Sequence, residues 1–364
     1  MKGGIITLHK ANNYGAALQT YSMLQVLNKY GDFEIIDYNM NIKENRTKSK
    51  ASKIISKFNN IIHMKRYLEF RTREYRFERF REKYLIVSES SYNGDHAIML
   101  NPPTYDVYIT GSDQTFNLDL TNNSFAFYLN FVKKGKKVSY SSSFGMHGIS
   151  EKQMNKVIPY LEQYEYLSIR EQEYKRSIEE KIGHEINISA DPVLLLDSAE
   201  WKKICSNINK PPKYILVFEM SNGMNLKNSL QWLLEITKLP ILIIQGGRIK
   251  SDITGKFYND VGPCEFIDLL KDASYVLTNS FHGTLFSIIF GNKFMCFEEI
   301  KYPKDKRYSK LVSETGMKIV PNSAKWEIFN YADFMNDGTE IYGKMKTWID
   351  SSKQYLKEAL KEIG

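Results

Sequence analysis

Short apolar stretches alternate with helical patterns along most of the chain. Residues 4–9, GIITLH, have the length and composition of a buried strand. The following segment carries its apolar residues at helical spacing, at Ala16, Leu18, Tyr21, Leu24 and Leu27. Gly31 is placed to stop that helix, and FEIIDYN at 33–39 forms a second strand. This order predicts a βαβ unit with parallel strands and a right-handed crossover.

The alternation restarts after ISADPVLLLDSAEW at 188–201, which we interpret as a connector. Strand patterns, a helix near 225–237 and a charged amphipathic helix at 341–361 follow. We therefore expect an α/β fold of two doubly wound, Rossmann-like domains, 1–192 and 193–364, with a cleft between them. Ligands of open α/β sheets bind at the carboxyl ends of the strands, where the polar loops of this sequence lie.

A basic segment at about 43–84 interrupts this order. Residues 41–84 contain fourteen Lys or Arg and five Glu, a net charge of +9, whereas the whole chain has only +8. The segment has a helical pattern, with one aromatic stripe at Tyr67, Phe70, Phe77, Phe80 and Tyr84. Such a local concentration does not indicate a nucleic-acid-binding protein. Two interpretations remain open: the helix docks on an anionic membrane surface, or its stripe packs on the core and its charges are solvated.

Several classes of protein are disfavoured by what the sequence lacks. It has no apolar run near the ~18 residues of a membrane span, and its first residues do not resemble a signal peptide, so we expect cytoplasmic residence. Cys205, Cys264 and Cys296 are widely spaced and form no Cys-x-x-Cys pair. Neither His-Glu-x-x-His, Asp-x-Asp nor Gly-x-Ser-x-Gly occurs. We therefore expect no metal, no cofactor and no hydrolase triad.

The segment TNSFHGT at 278–284 joins a buried strand to a buried helix. Ser280 is a suitable N-cap, which leaves the N–H groups of His282, Gly283 and Thr284 at the helix start. Helix N-termini bind phosphate and carboxylate through such groups. Gly283 would allow an anion to approach, and His282 adds an ionisable ring. The alternative is an ordinary capped helix with a structural histidine.

Two further strand ends carry polar clusters. In ITGSDQTFN, Ser112, Asp113, Gln114 and Asn117 are candidates for holding or activating a hydroxyl, and the alternative is a simple turn. At the first strand–helix junction the candidates are His9, Asn12, Asn13 and Tyr14, where an asparagine that only caps the helix is the alternative. This junction is neither Gly-x-Gly-x-x-Gly nor a P-loop.

Three arginines follow predicted strands or loops: Arg170, Arg248 and Arg307. Guanidinium groups pair with phosphate and carboxylate through two parallel hydrogen bonds. Together they indicate a dianionic substrate, although each one alone is more often a solvated surface charge.

The motifs GIITLHKANNYGAALQTY, ITGSDQTFN, SYSSSFG, LSIRE, DPVLLL and TNSFHGTLFSIIFGNKF occur in one order between about residues 3 and 315. This set resembles the polysaccharide pyruvyltransferase family. The resemblance implies a GT-B-like fold and transfer of pyruvate from phosphoenolpyruvate to a sugar, as a ketal across two hydroxyls. It places the acceptor on residues 1–192 and the donor on 193–364.

The same resemblance assigns roles to three residues. His282 would protonate the donor or bind its phosphate, Arg170 would clamp the donor, and Asp113 would orient or deprotonate the acceptor. The acceptor would be a capsular, exopolysaccharide or cell-wall glycan, free or linked to a lipid, and the enzyme cytoplasmic or peripheral on the inner membrane face. The alternatives are a glycosyltransferase of the same architecture that uses a nucleotide sugar, and a glycan-binding scaffold without catalysis.

Overall fold

Two parallel β-sheets, one from each half of the chain, organise the fold. The computed structural model describes residues 1–40, 57–220, 224–245, 253–299, 305–324 and 329–361. The elements of the first half are β1 (Lys2–Ile6), α1 (Tyr14–Leu27), β2 (Asp32–Asn39), α2 (Lys57–Tyr84), β3 (Val87–Asn93), α3 (Asp95–Leu100), β4 (Val107–Thr110), β5 (Lys136–Ser139), α4 (Glu151–Leu161), β6 (Ser168–Ile169), α5 (Lys175–Ile182) and β7 (Asn187–Ile188). Those of the second half are α6 (Ser198–Lys202), β8 (Ile215–Glu219), α7 (Met224–Thr237), β9 (Ile241–Gln245), β10 (Lys256–Phe257), α8 (Pro263–Lys271), β11 (Tyr275–Thr278), α9 (Phe281–Ile289), β12 (Lys293–Phe297), α10 (Ser309–Thr315), β13 (Ile319–Val320), β14 (Asn336–Asp337) and α11 (Gly338–Lys361).

Strand order follows the βαβ alternation of the sequence. The first sheet has the order β3-β2-β1-β4-β5, and all its pairs are parallel. The second has the order β10-β9-β8-β11-β12-β13, also parallel, with β14 antiparallel to β12. Because helices cover both faces, the central strand β8 is buried at all five positions. The described sheets confirm the predicted α/β fold with two Rossmann-like halves.

Helix α1 lies between the two halves and is buried on almost every side. The side-chain oxygen of Asn13 caps it by accepting the N–H of Ala16 at 3.1 Å. The predicted stop at Gly31 is wrong, because the helix ends at Leu27 and the chain leaves in a tight turn. Gly31 is needed for another reason: a Cβ there would lie 2.6 Å from the carbonyl oxygen of Met1.

The basic segment is helical where it is described, as predicted, from Lys57 to Tyr84; residues 43–56 lie outside the described part. The predicted aromatic stripe is packed on the protein only in part. Phe77 and Phe80 are buried, whereas Tyr67 and Phe70 are 58% and 50% exposed. Phe70 and Phe77 are seven residues apart and face the same way, so the stripe continues beyond the packed surface. The later turns pack on α1, where the ring of Phe77 lies 5.2 Å from that of Tyr14.

The connector after β7 is held from both halves. Ser22 of α1 donates its hydroxyl to the carbonyl of Pro192. From α11, Ser352 accepts the N–H of Ala190 at 2.9 Å, and Trp348 donates to the carbonyl of Ile188 at 2.8 Å. Helix α11 thus belongs to the second half in sequence but contacts the first. The predicted boundary at residue 192 stays a prediction, and the connector is a fixed part of the structure.

Candidate active site

The start of α9 projects from the carboxyl end of β11. Ser280 caps the helix, as predicted: its hydroxyl accepts the N–H of Gly283 at 3.3 Å and its carbonyl accepts that of Thr284 at 2.9 Å. Gly283 and Thr284 therefore do not offer the free N–H groups that the sequence predicted. Those of Phe281 and His282 precede the first intrahelical bond and have no partner within the helix. The space that a Cβ of Gly283 would occupy is filled by Thr278 and Phe218. Close packing on β11 therefore explains that glycine without an anion.

The imidazole of His282 is wedged between the two halves. It is 7% exposed. On one side, a Cβ added to Gly15 of α1 would lie 2.0 Å from its Nδ1. On the other, its Nε2 lies 3.3 Å from Oδ2 of Asp191. The ring therefore has little freedom to turn, and a carboxylate faces one of its nitrogens.

Asp191 links this histidine to Arg170. Its Oδ2 also lies 2.8 Å from Nη2 of Arg170, and its Oδ1 accepts the N–H of Val193 at 3.0 Å. Burial opposes the charge of Asp191, but Arg170 and His282 outweigh this effect and lower its pKa to about 2. Asp191 is therefore ionised under all ordinary conditions.

Arg170, which follows β6, is only 2% exposed. Its Nη2 donates to the hydroxyl of Ser112, which follows β4, at 2.5 Å. Its guanidinium lies over the ring of Phe281 at 5.1 Å. Within the described residues, its Nε and Nη1 are buried and have no hydrogen-bond partner. Unpaired buried donors on a cation are costly, so they mark a place where an anion would be stabilised.

A second arginine also lies close to the phenyl ring of Phe281. The guanidinium of Arg307 lies 5.0 Å from the centre of Phe281 and is paired with Asp305 through several hydrogen bonds of 2.5–3.0 Å. Burial would lower the pKa of Arg307, but Asp305, with a smaller contribution from Asp113, raises it. Asp113 has a left-handed backbone, with φ of 71°, and is mostly buried. Arg307 and Asp113 therefore lie near the Arg170 cluster.

Other predicted residues have structural partners. Ser112 is fully buried and also donates to the carbonyl of Ser141 at 2.8 Å, so it positions Arg170. Thr284 is fully buried against Cys296 and Tyr308. The side-chain amide of Asn117 donates to that of Gln114 at 2.9 Å.

The first strand–helix junction is mostly structural as well. Asn13 caps α1, and the hydroxyl of Tyr14 donates to the carbonyl of Val261. Asn12 accepts a hydrogen bond from Arg81 of α2 at 2.9 Å.

His9 lies in a separate cluster at the ends of β1 and β2. Its two ring nitrogens each lie 3.2 Å from an acceptor, the carbonyl of Thr7 and the carboxylate of Asp37, and burial lowers its pKa. Asp37 is in turn paired with Lys10 at 2.5 Å. Arg248 lies outside the described residues.

Sequence reasoning missed three residues that help to build the site. Asp191 was assigned to a connector, although the motif DPVLLL was one of those that carried the family resemblance. Gly15 gives no signal beyond its place beside Tyr14. Glu171 is fully buried, accepts hydrogen bonds from Ser143 and from the N–H of Phe144, and has its pKa raised by burial; its signal was its place directly after Arg170. Across the described ranges, no group of three or more His, Cys, Asp or Glu is arranged to hold a metal ion.

Solved structures with a similar fold include the UDP-GlcNAc 2-epimerase of Methanocaldococcus jannaschii, with a TM-score of 0.55, 15% identity and coverage of 96% of this chain and 99% of that one. MnaA of S. aureus, solved with UDP, has a TM-score of 0.52 and 10% identity, covering 97% and 89%. A variant of the wall teichoic acid polymerase TagF has a TM-score of 0.50 and 10% identity, covering 100% and 89%. At these identities the likeness shows the fold alone, which is GT-B-like as expected.

Comparisons of the sequence give a more specific result than the comparison of folds. No curated protein matches the chain. The family model described as "Polysaccharide pyruvyl transferase" matches residues 13–299, which include α1, Asp113, Arg170, Asp191 and His282. The chain therefore belongs to the polysaccharide pyruvyl transferase family.

Proposed function

We propose that this protein transfers the pyruvyl group of phosphoenolpyruvate to a sugar of a capsular, exopolysaccharide or cell-wall glycan, forming a pyruvate ketal and releasing phosphate. The observation that carries the proposal is the buried guanidinium of Arg170, whose Nε and Nη1 lack partners among the described residues. These unpaired N–H donors belong to a planar cation of the kind that binds phosphate and carboxylate groups. Phosphoenolpyruvate carries both groups.

The start of α9 supports the same assignment. Its free N–H groups and the positive end of its dipole favour an anion beside His282. The site is not a bare cationic pocket, because Asp191 and Asp305 already balance Arg170 and Arg307. Recognition of the donor therefore depends on directed hydrogen bonds more than on net charge.

The reaction needs one proton at carbon and two hydroxyl additions. His282, oriented by Asp191, would give a proton to the methylene carbon of the donor, which becomes the methyl group. One sugar hydroxyl adds to C2, and Asp113 would accept its proton. A second hydroxyl then displaces phosphate at the same carbon. Two C–O bonds to the sugar form, and the C–O bond between C2 and the phosphate breaks. Of the two protons that the sugar hydroxyls lose, one returns to His282 and the other leaves with the phosphate.

Calorimetric titration tests the proposal and separates its rivals. We expect the protein to bind phosphoenolpyruvate and not UDP-GlcNAc, and to release phosphate from the donor only when a glycan acceptor is present. Binding of UDP-GlcNAc without phosphoenolpyruvate would favour a nucleotide-sugar glycosyltransferase. Binding of glycans with neither donor would favour a non-catalytic scaffold.

A pair of variants ties binding to the site. Arg170→Gln should abolish donor binding. Arg176→Gln is the matched control, because Arg176 is 91% exposed and its ion pair in the described part of the chain is with Glu180, on the protein surface. Equal loss in both variants would contradict the assignment of Arg170.

A further inference from the structure

The outer face of α2 carries an unusual concentration of exposed apolar side chains. Twelve large apolar residues are exposed in the described part of the chain, and five of them lie within twelve residues of this helix: Met64, Tyr67, Leu68, Phe70 and Tyr75, each at least 50% exposed. Single exposed apolar residues are normal, but a cluster marks an interaction surface. Met64, Tyr67, Leu68 and Tyr75 lie within about 100° of one another around the helix, whereas Phe70 lies on the side of Phe77. We call the surface formed by the first four residues the outer stripe.

The opposite face of α2 already has its partners. Arg76 is paired with Asp260 at 3.0 Å, and Arg73 donates to the carbonyl of Gln245 at 3.3 Å. Met64, Leu68 and Tyr75 are separated by four and seven residues, so they share one side, about half a turn from Arg73 and Phe77. The helix is therefore apolar on two sides, of which only the inner one is packed on the protein.

Basic side chains flank the outer stripe. Lys65 and Arg71 are exposed beside it and have acidic partners on the same helix, Glu69 at 3.9 Å from Lys65 and Glu74 at 3.0 Å from Arg71. Arg66 is also exposed, but on the opposite side of the helix. No ion pair joins Arg66 to another described residue. Along the whole helix, nine Lys or Arg stand against four Glu.

The end of the apolar residues limits the surface. Beyond Tyr75 the exposed residues of α2 are all charged: Glu78, Arg79, Glu82 and Lys83. The contact is therefore confined to residues 64–75.

We infer that α2 docks on an anionic lipid surface through the outer stripe. Exposed Leu, Met and Tyr side chains partition into the headgroup boundary, and Lys and Arg beside them contact anionic headgroups. The docked helix lies next to the candidate site, because the guanidinium of Arg73 is 4.9 Å from the ring of Tyr14, the neighbour of Gly15. A lipid surface on the outer stripe is then about one helix diameter, ~10 Å, from the start of α1. This inference does not depend on the proposed reaction.

Flotation of the full-length chain with vesicles tests it. We expect binding to phosphatidylglycerol vesicles at low salt, little binding to phosphatidylcholine vesicles, and release at high salt as charges are screened. The variant Met64→Gln, Leu68→Gln, Tyr75→Gln should bind phosphatidylglycerol at least about tenfold more weakly. The control Leu100→Gln, Leu120→Gln, Ile236→Gln removes exposed apolar residues elsewhere and should bind as the wild type does.

Three results would overturn the inference. In the first, the wild type does not bind phosphatidylglycerol vesicles at low salt. In the second, the stripe variant binds as well as the wild type, which would mean that basic residues alone suffice. In the third, no vesicle binding occurs and light scattering shows a wild-type dimer but a monomeric stripe variant, which would mean that a second copy of the chain covers the stripe.

Discussion

Asp191→Asn tests the centre of the site, because this one carboxylate faces both Arg170 and His282 at 2.8 Å and 3.3 Å. A pKa lowered from 3.8 to about 2 corresponds to about 2 kcal/mol of favourable interaction in the charged form. Removing one partner of a buried ion pair also leaves the other charge uncompensated, at a cost of roughly 3–5 kcal/mol. We therefore expect the free energy of unfolding to fall by about 2–4 kcal/mol at pH 7, measured by urea denaturation.

The direction of this pKa shift determines how the stability contributed by Asp191 changes with pH. Because the pKa of Asp191 is depressed in the folded state, its contribution is complete above the unfolded value of 3.8 and is lost as the pH falls through about 2. The stability difference between wild type and Asp191→Asn should be constant from pH 7 to pH 5 and fall by about 1 kcal/mol at pH 3.

The control is Asp350→Asn, an exposed position on α11, which should change stability by less than about 0.5 kcal/mol. Asp191→Asn should also raise the KM for the donor, because Arg170 loses the group that orients it. An Asp191→Asn protein as stable as the wild type at pH 7, with the same KM, would show that the pair with Arg170 has no energetic or functional weight.

His282→Ala should lower kcat by about 10²–10⁴-fold without unfolding the protein; full turnover would remove it from the mechanism, and a largely active His282→Gln would exclude obligatory proton donation. Arg170→Lys should weaken donor binding about 10–100-fold by calorimetry, because an ammonium cannot copy the planar fork; an unchanged Kd would place Arg170 outside the donor site. Gly15→Ala should displace His282, which lowers kcat and reduces the free energy of unfolding by about 1–3 kcal/mol. Gly343 has open space around it, so Gly343→Ala should leave the free energy of unfolding unchanged or raise it. Equal effects of the two substitutions would contradict the contact between Gly15 and His282. Activity should persist in excess EDTA; a loss that only Mg²⁺ or Mn²⁺ restores would reveal a missed metal site.

The fold was largely predictable because buried parallel strands leave a simple record in the sequence. Strands such as β1 and β8 are short apolar runs, and the segments between them have helical periodicity. The short strands β10, β13 and β14 have two residues each and leave no such record. The burial of Phe77 and Phe80 and the exposure of Tyr67 and Phe70 were not predictable, because spacing alone does not show which aromatic residue meets a partner.

The site was predictable only in part. His282 and Ser280 follow from a strand–helix junction, which is a local pattern. Asp191 does not, because its importance comes from contacts 21 residues back, at Arg170, and 91 residues ahead, at His282. Gly15 gives no sequence signal either, because its role depends on the absence of a side chain beside His282. Ser112, Asn13 and Thr284 look like binding residues in sequence because polar caps and polar ligand groups use the same residue types.

These positions bear on how the donor would be held. The sequence assigned the donor to residues 193–364, yet the partly unpaired guanidinium of Arg170 belongs to the first half, and His282 to the second. Asp191 lies between them on a connector fixed by α1 and α11. If the donor binds as proposed, both halves must contribute to it, and the contact of Gly15 with His282 sets their spacing. Donor affinity should then be lost by any change that separates the halves, even one that leaves Arg170 and Asp191 paired.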